Sequence, residues 1–338
     1  MKKVLTAVLL GVFVSSMAFG GFFDMFKKKE GAESGAKKIG IVLSIGGLGD
    51  KSFNDSAYRG LVQAKKDLAI EFKYVEPGSP AEDEQYLRQF ADAGYDLVIG
   101  TGFLMKDSVE KVAGEYPDLK FAIVDSVIDL PNVASLVFKE HEGSFLVGAL
   151  AGLMTKSNVV GFVGGMDIPL IRKFQSGYIQ GVKYVNPNAK ILSVYTSGSS
   201  NPFNDPLAGK ENTLSLIGQG ADVVYHAAGG TGMGVIEAAK QKGVFAIGVD
   251  SNQDGTAPGT VLTSMIKKVD SAVFETTKSI TENNFKAGVN VFGVTEDGVG
   301  TTDYEFTRDI IGEAKIAKID QIREDIKTGK IVVKEQVK

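Results

Sequence analysis

The sequence predicts an α/β protein built as two doubly wound, parallel-sheet lobes with a ligand cleft between them. Three observations predict it. Short β-rich apolar runs alternate with amphipathic helical runs along most of the chain. The alternation comes in two series, separated by an apolar helical stretch rich in small residues. The turns after the apolar runs carry Gly, Asp, Asn and Ser, and in open α/β sheets ligands bind beyond those strand ends. The 338 residues are enough for two cores, and 43% hydrophobic with 23% charged is ordinary for a globular chain.

The N-terminus reads as a targeting segment. Met1-Lys2-Lys3 is basic, Val4 to Val14 is almost wholly apolar, and "SSMAFG" supplies small residues at signal-peptidase spacing. Residues 1–20 are expected to be a secretory signal, cleaved or kept as an N-terminal anchor. Residues 21–37 read as a flexible tether. Its Phe22, Phe23, Met25 and Phe26, followed by Lys27 to Lys29, suit at most a weak contact with an anionic membrane. The chain has no cysteine. That excludes a disulfide framework, a thiol nucleophile, a cysteine-ligated metal and a lipid anchor through cysteine. The expected location is exported, in the periplasm or cell envelope. A net charge of −4 offers no bulk attraction to nucleic acid.

The first series begins with strand "KIGIVLSIGG" and helix "FNDSAYRGLVQAKKDL". It continues with strand "EFKYVEP", helix "AEDEQYLRQFADAG", strand "DLVIGTG", helix "LMKDSVEKVAGEY" and strand "KFAIVDS". "HEGSFLVGALAGLMTK" is a buried helix at the lobe junction. The second series runs "NVVGFVGG", "IPLIRKFQSGYIQGVKYV", "KILSVYTSG", "LAGKENTLSLIGQG", "DVVYHAAGG", "MGVIEAAKQKG" and "VFAIGVDS". Strand "TVLTSMIKK", helix "DSAVFETTKSITENNF" and strand "VNVFGVT" follow, and a long helical pattern begins at Tyr304. The expected first lobe is 38–149 plus about 256–288, and the second 150–255 plus about 289–338.

The strand ends gather the candidate site residues. Asp50, Ser52, Phe53 and Asn54 follow the first strand, and Asp125 ends "KFAIV". In the second series Phe203 follows "KILSVYTSG", Gly229 follows "DVVYHAA", Asp250 ends "VFAIGV" and Lys267 ends "TVLTSMI". The tripeptide Phe-Asn-Asp occurs twice, at Phe53-Asn54-Asp55 and Phe203-Asn204-Asp205, both between a strand and a helix. One Phe from each lobe is placed to clamp a planar ring, and stacking contributes about 1–3 kcal/mol per base. The competing reading is local: Asn and Asp cap helices, and Phe packs a core. Asp125 and Asp250, each followed by Ser, carry the same alternative. A carboxylate at the cleft needs a donor-rich ligand or a cation, and Lys267 can offset part of the charge. Lys268 falls on the solvent side by strand alternation.

Other chemistries find little support. "GGTGMGV" follows a strand and precedes a helix, but its third small residue is displaced from the dinucleotide fingerprint. His141 and His226 are the only histidines and have no metal-ligand spacing; His141 suits the surface or junction, His226 a strand near the cleft. "FQSGY" lacks the first glycine of a nucleophile elbow. No metal or cofactor is expected.

In combination, "GDKSFND", "AAGGTGMGV", "GVDSNQD" and "LTSMIKKVDSAV" resemble the basic membrane protein family of bacterial substrate-binding proteins, from about Lys38 to near the C-terminus. The resemblance implies the type I periplasmic-binding-protein fold, two lobes joined by three crossovers. It implies a receptor that captures a purine nucleoside by lobe closure and delivers it to an ABC importer. Phe53 and Phe203 would sandwich the base. Asp50, Ser52 and Asn54 would line the first-lobe wall, and Asp125 would meet the polar edge of the base. Gly229, Asp250 and Lys267 would hold the ribose or its surroundings. Many members are lipoproteins, from which this cysteine-free chain departs, and some bind other small molecules. The expected partners are the nucleoside and an ABC permease, with no nucleic acid and a monomeric state. Two alternatives stand beside this: a receptor for a sugar or autoinducer-like molecule, and a nucleoside hydrolase, for which no carboxylate pair stands out.

Overall fold

The computed structural model describes residues 35–196 and 198–336. The expected signal over 1–20 lies outside them, as does most of the tether over 21–37. Gly35 and Ala36 are coil and Lys37 opens the first strand. Among the described residues no helix is long and apolar enough to cross a membrane.

The first sheet is formed by β1 (Lys37–Val42), β2 (Ile70–Val75), β3 (Leu97–Thr101), β4 (Lys120–Val124), β5 (Val133–Phe138) and β11 (Gly288–Phe292). Its order is β2-β1-β3-β4-β5-β11, and every pairing is parallel. The second sheet holds β6 (Val159–Gly164), β7 (Lys190–Tyr195), β8 (Val223–Ala227), β9 (Phe245–Asp250), β10 (Val261–Lys267) and β12 (Val299–Thr301). Its order, β7-β6-β8-β9-β10-β12, repeats the first, except that β12 runs antiparallel to β10. Strands covered on both faces need no polar alternation. Accordingly Leu97–Thr101 and Val223–Ala227 are buried along their whole length.

Helices connect the parallel strands. In the first lobe they are α1 (Phe53–Asp67), α2 (Asp83–Asp92) and α3 (Lys106–Glu115). The junction helix is α4 (Glu140–Met154), followed by α5 (Pro169–Val185), α6 (Pro206–Gly218), α7 (Gly232–Lys242) and α8 (Val269–Thr281). The chain crosses between sheets three times: after β5 through α4, after β10 through α8, and from β11 to β12. Helices α4 and α5 approach closely because small residues face each other. A Cβ at Gly181 would lie 2.0 Å from the Phe145 carbonyl oxygen.

Three details differ from expectation. The segment about 256–288 does not belong to one lobe: β10 pairs with β9 in the second sheet, while α8 packs on α1 and β11 joins the first. β11 likewise departs from the expected second-lobe assignment of 289 onward, while β12 joins the second sheet as expected. Which sheet a buried strand joins is set by non-local pairing, which its own residues do not carry. β5 and β12 were not anticipated; "VASLVF" is apolar except for Ser135, and only Lys139 separates it from α4. The helical pattern from Tyr304 divides into α9 (Arg308–Ile311) and α10 (Glu313–Lys327), because Gly312 between them sits at φ 83°.

Candidate functional site

The carboxyl ends of both sheets meet around one cavity of about 370 Å³, within the range of small-ligand sites. In each sheet the strand order reverses beside the first strand of its series, β1 and β6, which is where open α/β sheets hold ligands. Eight of the nine expected site residues line this cavity: Asp50, Phe53, Asn54, Asp125, Phe203, Gly229, Asp250 and Lys267.

The ninth, Ser52, is a correction to the expected first-lobe wall. It is fully buried behind the lining, and its Oγ donates to Asp250 Oδ2 at 2.5 Å. Its place immediately before α1 turns it away from the space that Phe53 borders.

The two Phe-Asn-Asp copies play different roles. The first forms the opening turn of α1. Asp50 accepts from the backbone N–H groups of Ser52 (2.8 Å), Asn54 (2.8 Å) and Asp55 (3.1 Å), so it caps that helix while bordering the cavity. Burial pushes the Asp50 carboxyl up, against the pull of those N–H groups. Asn54 Oδ1 accepts from Ser44 N and Oγ, each at 3.0 Å, leaving its amide hydrogens as donors. Asp55 ties the loop through Gly49 N and Lys51 N. In the second copy Asp205 caps α6 by accepting from Ala208 N at 3.0 Å. Asn204 Nδ2 reaches the other lobe and donates to Gly46 O at 3.2 Å.

Phe53 and Phe203 come from opposite lobes, and both are half-buried on the cavity wall. Gly165, just past β6, seats the Phe203 ring, since a Cβ there would lie 2.3 Å from Phe203 Cε1. Gly229 has φ 55°, and a Cβ there would lie 2.9 Å from Phe203 O, so this turn needs glycine on both counts.

Asp125 and Asp250 are matched. Each ends or follows the fourth strand of its series and each takes left-handed backbone, φ 69° and 61°, a conformation that Asp tolerates better than most residues. Asp125 Oδ2 accepts from Lys267 Nζ at 2.7 Å, across the two sheets. Burial pushes the Asp250 carboxyl up to about 6, with Lys267 and the Ser52 hydroxyl pulling the other way. For Lys267 itself, burial favours the neutral amine, but Asp125, Glu140 and Asp250 together outweigh it and hold the ammonium above its ordinary value. Its Nζ also lies 5.0 Å from the Phe138 ring centre, 5.3 Å from Phe53 and 5.5 Å from Phe174. Lys268 pairs with exposed Asp297, on the solvent side.

Several lining residues were not anticipated, among them Ser44, Phe103, Met166, Leu170, Phe174 and Asn201. Phe174 had a signal. It lies on the helix after β6, the counterpart of β1, one turn beyond Leu170 on the same face. Glu140, behind Lys267, had none. His226 is a buried β8 residue whose Nε2 lies 3.0 Å from Gln253 Oε1, and burial lowers it to about 4. His141 is buried in α4. Among the described residues no group of three His, Cys, Asp or Glu is arranged to hold a metal.

The lobes are closed over the cavity. Besides Ser52–Asp250, Asn204–Gly46 and Lys267–Asp125, Ser251 Oγ donates to Ser52 O (2.8 Å), Arg59 Nη2 to Ser251 Oγ (3.0 Å) and Gln253 Nε2 to Lys51 O (3.2 Å). The arrangement can enclose a flat, donor-bearing molecule between two rings over a charged floor.

Comparisons with known proteins agree with the fold. A family model, Bmp, described as ABC transporter substrate-binding protein PnrA-like, matches residues 37–337. The chain is 34% identical over 280 residues to basic membrane protein A of Borreliella afzelii, covering 80% of this chain and 84% of that protein. It is 34% identical over 333 residues to an uncharacterized lipoprotein of Pyrococcus horikoshii, covering 94% and 81%. The crystal structure of an ABC transporter system solute-binding protein from Aeropyrum pernix superposes with a TM-score of 0.80 at 30% identity, covering 88% of this chain and 94% of that one.

Proposed function

The chain belongs to the Bmp family of PnrA-like ABC transporter substrate-binding proteins, and from that premise we propose that its cleft captures a purine nucleoside and delivers it to an ABC importer. The family's work is binding outside the cytoplasm, with a small-molecule ligand and an ABC transporter as partners, and it breaks no bond. The hydrolase alternative is therefore set aside.

The observation that carries the nucleoside reading is the placement of Phe53 and Phe203, from opposite lobes, on the wall of one cavity. Each ring offers a face to a heterocycle, and the pair is complete only when the lobes are together. The carboxylates of Asp50, Asp125 and Asp250, with the Lys267 ammonium, suit a ligand rich in hydroxyl and N–H donors with some acceptors, as a ribose and a purine edge are. Ligand contacts on both lobes favour the closed form by their differential affinity for it. In this reading Asp125 serves the ligand partly through Lys267, to which it is bonded, and Ser52 acts through Asp250.

In this reading the protein acts as a monomer in the periplasm or cell envelope. Relatives are named as lipoproteins, but this sequence has no cysteine to modify. The test is mass spectrometry of small molecules released on denaturing the purified chain. A purine nucleoside in near-stoichiometric amount is the expected result; a sugar, or another compound without a flat ring system, would overturn the reading.

A further inference from the structure

The three crossovers are bonded to one another at the hinge. Lys139 N, entering the first, donates to Phe292 O at the start of the third, and Lys268 N, entering the second, donates to Gly298 O at the end of the third. Glu142 Oε2, in the first turn of α4, accepts from Val294 N at 2.8 Å, again joining the first and third. The first and second crossovers are joined by one ion pair, Lys267 Nζ to Glu140 Oε1 at 3.2 Å. Both side chains are almost wholly buried, each about 1% exposed. Lys267 thus has one carboxylate at the hinge, Glu140, and another in the first lobe, Asp125.

The three carboxylates acting on this ammonium are not equivalent. Asp125 Oδ2 accepts a hydrogen bond from Lys267 itself, and Asp250 Oδ2 accepts one from Ser52 Oγ. Both Glu140 oxygens are buried and accept none. Lys173 of α5 and Tyr225 of β8 also act on Glu140, and Lys139, His141 and Glu142 stand beside it in the chain, Lys139 paired with Glu142. The Tyr225 hydroxyl is engaged with Ser144 at 3.1 Å. With the lobes shut, one ammonium faces more negative charge than it balances, and a neutral ligand adds no cation. A buried anion in this position neutralises rather than remain uncompensated.

We propose that Glu140 is a positioning residue for the ligand site: it holds the Lys267 ammonium at the hinge and takes up a proton when the lobes close over a neutral ligand. The proposal rests on the cleft being a binding site for a small neutral molecule, of which a purine nucleoside is the case tested. Burial raises the Glu140 carboxyl above its ordinary value, with Lys267 opposing and Asp125 reinforcing the rise. Of the carboxylates around Lys267, the one that accepts no hydrogen bond loses least by protonation.

The test is calorimetric titration of inosine into the full chain in two buffers of different ionisation enthalpy, which counts protons taken up. Net uptake is expected at pH 7, with affinity rising about threefold or more from pH 8 to pH 6, and a clearly shallower profile in Glu140→Gln. Zero uptake by the wild type, or a Glu140→Gln profile that follows the wild type's, overturns the proposal. If the variant does not fold, the buffer pair on the wild type alone decides. If the wild type binds no inosine, the nucleoside reading fails separately, and the same buffer-pair titration with the neutral small molecule that mass spectrometry identifies in the denatured chain decides Glu140: uptake that Glu140→Gln lacks supports the assignment, and zero uptake overturns it.

Discussion

Ser52 Oγ donates to Asp250 Oδ2 at 2.5 Å, joining the residue before α1 in one lobe to the end of β9 in the other. The bond spans the two lobes, so it belongs to the closed form. Hydrogen bonds to charged groups contribute about 1.5–3 kcal/mol, and about 1.4 kcal/mol is tenfold in affinity. Ser52→Ala is therefore expected to weaken ligand binding roughly tenfold or more, read by calorimetry. The melting temperature of the ligand-free, open protein should change little. A variant that binds as tightly as the wild type would remove this bond from the closing contacts.

Gly165 seats the Phe203 ring, which a Cβ would approach to 2.3 Å. Phe203 is only half-buried and lies on a loop, so an added methyl should displace the ring rather than disrupt the core. Gly165→Ala is expected to lose part of the stacking energy, about 1 kcal/mol or more. Fluorescence or calorimetric titration should show a several-fold loss of affinity, with the far-ultraviolet circular dichroism of the wild type retained. Unchanged affinity would mean that the ring's present seat does not matter to binding.

His226 supplies a pH signature opposite in sign to that of the carboxylates. Burial lowers it from 6.5 to about 4, so between those values the unfolded chain binds a proton that the folded chain refuses. Its contribution to stability is complete above pH 6.5 and is lost as pH falls towards 4, to the extent of roughly 3 kcal/mol. His226→Gln keeps a donor for Gln253 Oε1 and has no imidazole to protonate. The difference in unfolding free energy between wild type and variant, followed by urea titration from pH 7 to pH 4, should shift against the wild type as pH falls. A constant difference would contradict the assignment of a buried neutral imidazole.

The two-lobe architecture was legible because βα alternation is a local property: each apolar run and each amphipathic run can be recognised alone. Phe53, Phe203, Asp125 and Asp250 were legible for a related reason, since strand ends in such sheets point at one cleft. What depends on pairing across long sequence distances was not legible. Nothing within "TVLTSMIKK" says that β10 joins the second sheet while the next helix packs on the first lobe. Nothing near Glu140 points to Lys267, which the fold brings to it from 127 positions away. Ser52 illustrates a limit of another kind. It was placed on the wall because its neighbours are there, but side chains around a helix N-terminus diverge, and its hydroxyl points to Asp250. Phe174 was within reach, because the repeated strand order makes α5 the counterpart of α1.

The most direct measurement of the central claim is calorimetric titration of inosine, adenosine and guanosine into ligand-stripped wild type, Phe53→Ala and Phe203→Ala. The account predicts that the wild type binds at least one of the three, and that each substitution weakens that binding about tenfold or more while the fold is retained. Wild-type protein that binds none of them, or paired variants that bind with undiminished affinity, would contradict it.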